Sequence, residues 1–181
     1  MGVRVYRGID YTEACEVLKH QCYASEERKR FVSGLAANAV FGSGLYLVSD
    51  LLVAIEYAFC HAEASNQKAA VLRQDLTMRN PVLLQGREGE GILRTKALDW
   101  RYPYGCSSML NSDAPRQEYI LWSGNLIKEY LLAQGHDGIE YTLQDHFRYY
   151  VSYYPFEQVS NIELELSFDI EELQYKEEDA I

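Results

Sequence analysis

The segment FGSGLYLVSDLLVAIEYAFCH, which begins at Phe41, constrains the fold more than any other part of the chain. Gly42 and Gly44 lie one residue apart and lead into an apolar run, which predicts a tight turn followed by a buried strand. An aspartate then precedes apolar residues at helical spacing, which predicts a capped helix. A chain that needed only a core would use Leu or Ile at Tyr46 and Tyr57, so the segment is typical of a ligand pocket.

Length and pattern favour one α+β domain. The chain has 181 residues, of which 48% are hydrophobic, and this is enough to bury a core. Helices are predicted at DYTEACEVLKHQC, with Thr12 as its cap, at LLVAIEYAFCHAEA and at SGNLIKEYLLAQG; strands are predicted at VRVYR, GLYLVS, AAVLRQDLTM, NPVLLQ, DGIEYT, YYVSYYPFEQV and NIELELSF. GREGEG and residues 93–115 are predicted to be loops. The domain spans residues 1–170, and residues 171–181 form an acidic tail.

Charge and composition exclude several classes of function. The formal net charge of −10 disfavours non-specific binding to a phosphate backbone, so a protein or a small molecule is the better partner. No apolar run approaches the length of a membrane span, and the N-terminus has no signal-peptide core, which predicts a soluble protein without membrane contact. The four cysteines and four histidines lack metal-ligand spacing, so no metal site is expected.

These segments resemble the ADP-ribosyltransferase fold, in the branch shared by diphtheria-type toxins and poly(ADP-ribose) polymerases. In that branch a Gly-x-Gly-(Ile/Leu)-Tyr turn runs into a strand, and a second tyrosine follows on the next helix; Tyr46 and Tyr57 match these two positions. VYRG resembles the first strand of the family, which ends in a His-Gly or Arg-Gly pair matched here by Arg7 and Gly8. LTMRNPVLL, AQGHDGIEY and YYVSYYPFEQVSNIEL resemble further elements, so the resemblance covers most of the chain.

The resemblance implies a split, twisted antiparallel sheet with flanking helices around a cleft for NAD. Nicotinamide is a flat cationic ring with a carboxamide, so its site needs aromatic faces and a close approach of the main chain. The guanidinium of Arg7 suits the ribose hydroxyls or the pyrophosphate of NAD. If its role is to bind the ligand, Arg7→Ala is expected to leave the melting temperature nearly unchanged. The implied cofactor-binding residues are Arg7, Gly8, Ser43, Gly44, Tyr46 and Tyr57.

The implied reaction needs a carboxylate, and the sequence departs from the family at that point. Cleavage of the bond between nicotinamide and ribose develops positive charge on the sugar, which a carboxylate stabilises. The family's glutamate precedes the last conserved strand, where this chain has Tyr149. Three other carboxylates are alternatives: Glu118 in APRQEYILW, ranked first, Asp145 in LQDHF, ranked second, and Glu140 after DGI.

The implied function is NAD-dependent mono-ADP-ribosyl transfer to a macromolecule, with a protein acceptor favoured over nucleic acid on charge grounds. A toxin, an effector or a counter-defence factor would fit, acting in the cytoplasm or delivered into a host cytoplasm, and an inhibitory partner is a further expectation. One alternative is a module that binds NAD or ADP-ribose and has lost transfer. Another is an NAD-degrading glycohydrolase of the RES type, with Glu56 as its carboxylate, although the Gly-Gly-Arg-Trp-Asn signature of that family is missing.

Overall fold

The structure is a computed structural model that describes residues 2–23, 40–63, 68–86, 88–104, 116–143 and 147–170. The strands and helices in chain order are β1 (Val3–Asp10), α1 (Tyr11–His20), β2 (Leu45–Val48), α2 (Leu51–Glu63), β3 (Ala69–Leu76), β4 (Pro81–Gln85), α3 (Gly89–Arg101), α4 (Arg116–Ala133), β5 (Gly138–Thr142), β6 (Arg148–Ser152), α5 (Pro155–Gln158) and β7 (Val159–Phe168). Asp145 and the acidic tail, residues 171–181, lie outside the described residues.

The seven strands form one mixed sheet in the order β4-β5-β6-β2-β1-β3-β7. The α+β class is therefore confirmed. The expectation of an antiparallel sheet is wrong at one edge, because β4 and β5 run parallel. Helices α3 and α4 separate these two strands in the chain, and a crossover of that length allows a parallel pair, whereas short connections produce antiparallel pairs.

Helices pack on both faces of the sheet. The face that we call the α1 face carries α1, and its core includes Val5, Ile9, Leu47 and Leu72. The opposite face, which we call the α2 face, carries α2, α3 and α4 over two further clusters. One cluster joins α3 and α4 to β5 and β6, and the other joins α2 to β2 and β3. Alternation along each strand thus decides which side chains can meet.

Strands β1 and β2 meet at a single pair. Among the described residues, their register consists of Tyr6 opposite Val48. By contrast, β1 pairs with β3 along the whole of its length, and all four residues of β2 pair with β6. The sheet is therefore divided into the halves β4-β5-β6-β2 and β1-β3-β7. We call the region between residues 7–10 of β1 and residues 44–47, which are the end of the preceding turn and the first three residues of β2, the opening.

Helix α2 lies directly against β1 at Gly8. A Cβ atom built at Gly8 would lie 2.0 Å from the carbonyl oxygen of Ala54 and 2.3 Å from the amide nitrogen of Ala58. The helix begins three residues after β2 ends, and the Asp50 carboxylate caps it by accepting from the amides of Leu52 at 2.8 Å and Val53 at 3.2 Å. The predicted cap at Asp50 is confirmed, and the short connection folds the helix back over β1.

Helix α3 occupies a segment that was predicted to be a loop. It begins at Gly89, inside GREGEG, and ends at Arg101. Leu93 and Ala97 are buried four residues apart on one side of it, and they pack with α4. Gly89 and Gly91 lower the helix propensity of the first turn, which hid this pattern in the sequence.

Three other boundaries also differ from prediction. Helix α4 begins at Arg116, before the predicted start at Ser123. The cap of α1 is Asp10, whose Oδ1 accepts from the amide of Glu13 at 2.9 Å, and not Thr12. The predicted strand YYVSYYPFEQV is interrupted by α5, because Pro155 at the start of that turn cannot donate to a strand ladder.

The contact of α2 with β1 predicts the effect of adding one methyl group at Gly8. Gly8→Ala should destabilise the protein by about 3 kcal/mol or more, or prevent folding, because backbone atoms of α2 occupy the place of Cβ. The control is Gly91→Ala in α3, where nothing lies within 4 Å of the new atom. It should stabilise the protein by up to about 1 kcal/mol through helix propensity. Urea denaturation measures both, and wild-type stability of Gly8→Ala would contradict the contact.

Candidate functional site

Arg7 spans the opening on the α1 face. Its Nη1 donates to the main-chain carbonyl of Tyr46 at 2.9 Å. If the pairing of β1 with β2 continued past Tyr6, Tyr46 would lie opposite Gly8, so the arginine supplies a bond across the gap where strand pairing has ended. The predicted Arg-Gly pair therefore lies at the divergence of the two halves of the sheet.

The guanidinium of Arg7 is buried as well as bonded. The residue is 6% exposed, and its guanidinium carbon lies 5.2 Å from the centre of the Tyr23 ring. Burial lowers the pKa of Arg7 from its ordinary value, while Tyr23 and Glu13 act in the opposite direction. Replacing Arg7 is therefore expected to affect stability, which changes the expectation of a nearly constant melting temperature.

Tyr46 points to the α2 face, and its hydroxyl closes the turn that precedes β2. The hydroxyl donates to the carbonyl of Gly42 at 2.8 Å and accepts from the amide of Phe41 at 3.2 Å. The ring packs with the cluster formed by α3, α4, β5 and β6. Burial raises the pKa of Tyr46 well above its ordinary value, so the phenol is neutral at physiological pH. This tyrosine has a structural task besides any contact with a ligand.

Tyr57 of α2 meets Tyr149 of β6 on the same face. Their hydroxyl oxygens are 3.3 Å apart. Burial, followed by the hydrogen bond to Tyr149, raises the pKa of Tyr57. Tyr57 packs in the cluster that joins α2 to β2 and β3, and Tyr46 packs in the cluster that joins α3 and α4 to β5 and β6. Tyr149 packs against both clusters. Tyr149, which the resemblance aligns with a glutamate, thus lies beside Tyr57, one of the two tyrosines predicted to stack on nicotinamide.

Ser43 and Gly44 line a cleft at the end of the sheet where β2 begins. Its volume is about 400 Å³. The Lys128 ammonium donates to Ser43 Oγ at 2.7 Å and lies 5.6 Å from the centre of the Tyr153 ring. We call this space the cleft; its lining consists of Tyr23, Ser43, Gly44, Leu45, Lys128, Tyr153, Tyr154, Pro155, Phe156 and Glu157. Tyr23 also contacts Arg7, so the cleft adjoins the opening.

Close packing accounts for the two glycines of the turn. A Cβ at Gly42, where φ is +78°, would lie 2.6 Å from the carbonyl oxygen of Gly124 in α4. A Cβ at Gly44 would lie 2.9 Å from Cγ1 of Val151 and 3.1 Å from the carbonyl oxygen of Ser152. The turn therefore sits tightly between α4 and β6, and these contacts fix the position of Ser43 at the rim of the cleft.

The structure separates the candidate carboxylates. Glu140 pairs with Tyr150 across the strands and forms a 3.0 Å ion pair with Arg148, on the α1 face and so away from Tyr57. Glu56 is exposed on α2, next to Tyr57 in the chain. Glu118 is exposed in the first turn of α4.

The direction of α4 determines which end of the sheet Glu118 approaches. The helix packs on the α2 face through Ile127 and Leu131, and a turn of four residues joins it to β5. It therefore runs antiparallel to β5, and its N-terminal end lies toward Thr142 and the neighbouring start of β6. Glu118 is thus on the same face as Tyr149 and at the same end of the sheet.

Sequence patterns do not identify Tyr149, Lys128, Tyr23 or the run YYPFEQ as parts of this region. Tyr149 was read as a departure from the family, not as the partner of Tyr57. No pattern in the sequence marks Lys128 or Tyr23. The run YYPFEQ did carry a signal in its aromatic residues, but it was predicted to be part of a strand, so its position beside Ser43 was not apparent.

The described residues contain no helix that is long and apolar enough to cross a membrane. Within the same ranges, no group of three or more His, Cys, Asp or Glu side chains could hold a metal ion. Cys15, Cys22 and Cys60 are free thiols.

No protein-family model matches this chain, and no curated protein is significantly similar to it.

The bond across the opening predicts a loss of stability when Arg7 is replaced. Arg7→Ala should lower the free energy of unfolding by about 2–3 kcal/mol, because it removes a buried hydrogen bond and the packing against Tyr23. Arg4→Ala is the matched control on the same strand. The Arg4 side chain is 60% exposed and lies 3.8 Å from its ion-pair partner Asp75, so its replacement should lower the free energy of unfolding by less than about 1 kcal/mol. Equal effects of the two substitutions in urea denaturation would show that Arg7 does not brace the opening.

Proposed function

We propose that the chain is an NAD-dependent mono-ADP-ribosyltransferase that takes the nicotinamide end of NAD into the opening between β1 and β2. The observation that carries the proposal is the single pair that joins these strands, with Gly8 and Arg7 on one side of the opening and the turn around Gly44 on the other. A nicotinamide cleft requires a gap between strands, and β1 and β2 separate at the residues that the family resemblance matches.

Each side of the opening supports part of the binding. On the α2 face, Tyr57 offers a neutral aromatic ring for stacking on the cationic nicotinamide. On the α1 face, Arg7 places a positive charge next to Tyr23 and the cleft, where it favours the pyrophosphate of the dinucleotide.

The chemistry is substitution at C1 of the nicotinamide ribose. The bond from C1 to the ring nitrogen breaks, nicotinamide leaves as a neutral molecule, and the acceptor's nucleophilic atom forms the new bond to C1 and gives up its proton. A carboxylate that binds the ribose 2-hydroxyl stabilises the positive charge in between. We assign this role to Glu118, with Asp145 as the alternative, because α4 brings Glu118 to the end of the sheet where Tyr149 lies.

The charge of the chain favours a protein as the acceptor. A net charge of −10 repels nucleic acid at long range and attracts basic protein surfaces. A toxin, an effector or a counter-defence factor that acts in a cytoplasm fits this activity, and an inhibitory partner is part of the proposal.

A second candidate function is NAD binding without transfer, and one observation favours it. The hydroxyl of Tyr149 lies 3.3 Å from that of Tyr57, so a neutral side chain occupies the place where the family resemblance implies a carboxylate. The tyrosine supplies no carboxylate to stabilise the oxocarbenium-like state. A glycohydrolase that releases free ADP-ribose is distinguished from both by its product.

Incubation with NAD that is labelled on its adenine separates these functions. The purified protein is incubated with and without cell lysate, and it should release nicotinamide and place the label on a protein band. Glu118→Gln should lower the rate of this transfer by a factor of about 100 or more, because the positive charge of the transition state then lacks a carboxylate partner. Glu129→Gln, on an exposed part of the same helix, is the control. Release of free labelled ADP-ribose would support the glycohydrolase. NAD that binds to the protein but stays intact would support the binding module. Absence of both binding and turnover would contradict the proposal.

A carboxylate introduced at residue 149 tests the same pocket by a gain of activity. Tyr149→Glu should raise nicotinamide release above that of the wild type, while Tyr149→Gln, which has the same shape without the charge, should not. Equal rates for the two variants, both folded, would argue against a nicotinamide site beside residue 149, at the start of β6.

A further inference from the structure

The cleft at the end of the sheet combines a cationic wall with an exposed aromatic wall. On one side the Lys128 ammonium donates to Ser43 Oγ at 2.7 Å, so a lysine and a serine hydroxyl converge on one point. On the other side Phe156 is 72% exposed and Tyr154 is 46% exposed. The volume of about 400 Å³ lies in the range of small-molecule sites.

The aromatic wall is held in place by a buried side chain. Gln158 is 5% exposed, and its Oε1 accepts from Ser152 Oγ and from the amide of Tyr154 at 3.2 Å, while its Nε2 donates to the carbonyl of Asp137 at 3.0 Å. These bonds tie the turn that carries Phe156 to both β6 and the start of β5. A large apolar ring is therefore presented to solvent on a rigid support, which lowers the entropy cost of stacking on it.

We propose that the cleft binds a nucleoside monophosphate, with the phosphate on Lys128 and Ser43 and the base against Phe156 and Tyr154. An ammonium and a hydroxyl that converge suit phosphate oxygens, and every base has an aromatic face that stacks on such side chains. The Glu157 carboxylate at the rim accepts from ribose hydroxyls or from an exocyclic amine. The negative charge of Glu157 also disfavours ligands with several phosphates, which selects the monophosphate.

Two ligands carry an adenylate group that suits this cleft: NAD, of which it is one half, and the free nucleotide AMP. The cleft adjoins the opening through Tyr23, so it is within reach of a dinucleotide whose nicotinamide enters there. The binding proposed for the cleft stands on its own residues and does not require cleavage of NAD.

Calorimetric titration with AMP, adenosine and inorganic phosphate tests the cleft. AMP should bind more tightly than either of the other two, and Lys128→Gln should raise its Kd about tenfold. Phe156→Ala should raise the Kd about fivefold or more, and because this ring is 72% exposed the variant should keep its fold. Lys96→Gln and Leu83→Ala, which replace an exposed lysine and an exposed apolar residue outside the cleft, should bind AMP as the wild type does.

Competition with NAD identifies the source of the nucleotide. If NAD displaces AMP and Lys128→Gln weakens both ligands, the site holds the adenylate half of NAD; if saturating NAD leaves AMP bound, the site serves a separate nucleotide. Absence of AMP binding at millimolar concentration, or wild-type binding by folded Lys128→Gln and Phe156→Ala, would overturn the proposal. Failure of nicotinamide release alone would leave these AMP titrations unchanged, so the two proposals fail separately.

Discussion

The contact of helix α2 with the main chain of β1 is the constraint on which the rest of the structure depends. Because α2 follows β2 after two residues and is capped by Asp50, it must fold back over the neighbouring strand, and Gly8 is the place where its backbone fits. β1 pairs with β3 along its whole length, and α2 packs on it at Gly8. β2 is held by β6, so the two strands share one pair and then part.

Where β1 and β2 separate, main-chain groups lose their strand partners, and side chains supply the contacts that strand pairing no longer makes. Arg7 supplies a bond from β1 to the carbonyl of Tyr46, and the ring of Tyr23 covers the guanidinium. The hydroxyl of Tyr46 holds the turn that leads into β2, and Tyr57 faces Tyr149 on the other side of the sheet. Of the residues that the family resemblance marks, Arg7, Gly8, Gly44 and Tyr46 border the divergence of the two halves, whereas Tyr57 contacts Tyr149 opposite Val48, where the halves are still paired.

The sequence predicted the parts of the fold that depend on local periodicity. Strand β2, helix α2 and its Asp50 cap follow from the segment FGSGLYLVSDLLVAIEY alone, and β1, β3, β5 and β7 follow from their apolar runs. Helix α3 was missed because Gly89 and Gly91 interrupt its first turn, and Leu93 and Ala97 gain their burial only from packing on α4. The parallel pair of β4 with β5 depends on that same crossover, so no local pattern could predict it.

The site was less predictable, because it depends on which faces of the sheet the side chains share. Alternation along β1 and β2 puts the side chain of Arg7 on the α1 face and that of Tyr46 on the α2 face, so two side chains that the resemblance assigns to one NAD site lie on opposite faces of the sheet. Lys128 reaches Ser43 from a helix 85 residues further along the chain, and nothing in its surrounding sequence marks it.

A crystal structure of the protein with bound NAD would test the central claim most directly. Nicotinamide should lie in the opening between β1 and β2, stacked on Tyr57 and near the main chain of Gly8, with the phosphates on the side of Arg7 and the cleft. NAD bound elsewhere on the surface, or an opening that stays filled by protein atoms at saturating NAD, would contradict the assignment of this divergence as a nicotinamide site.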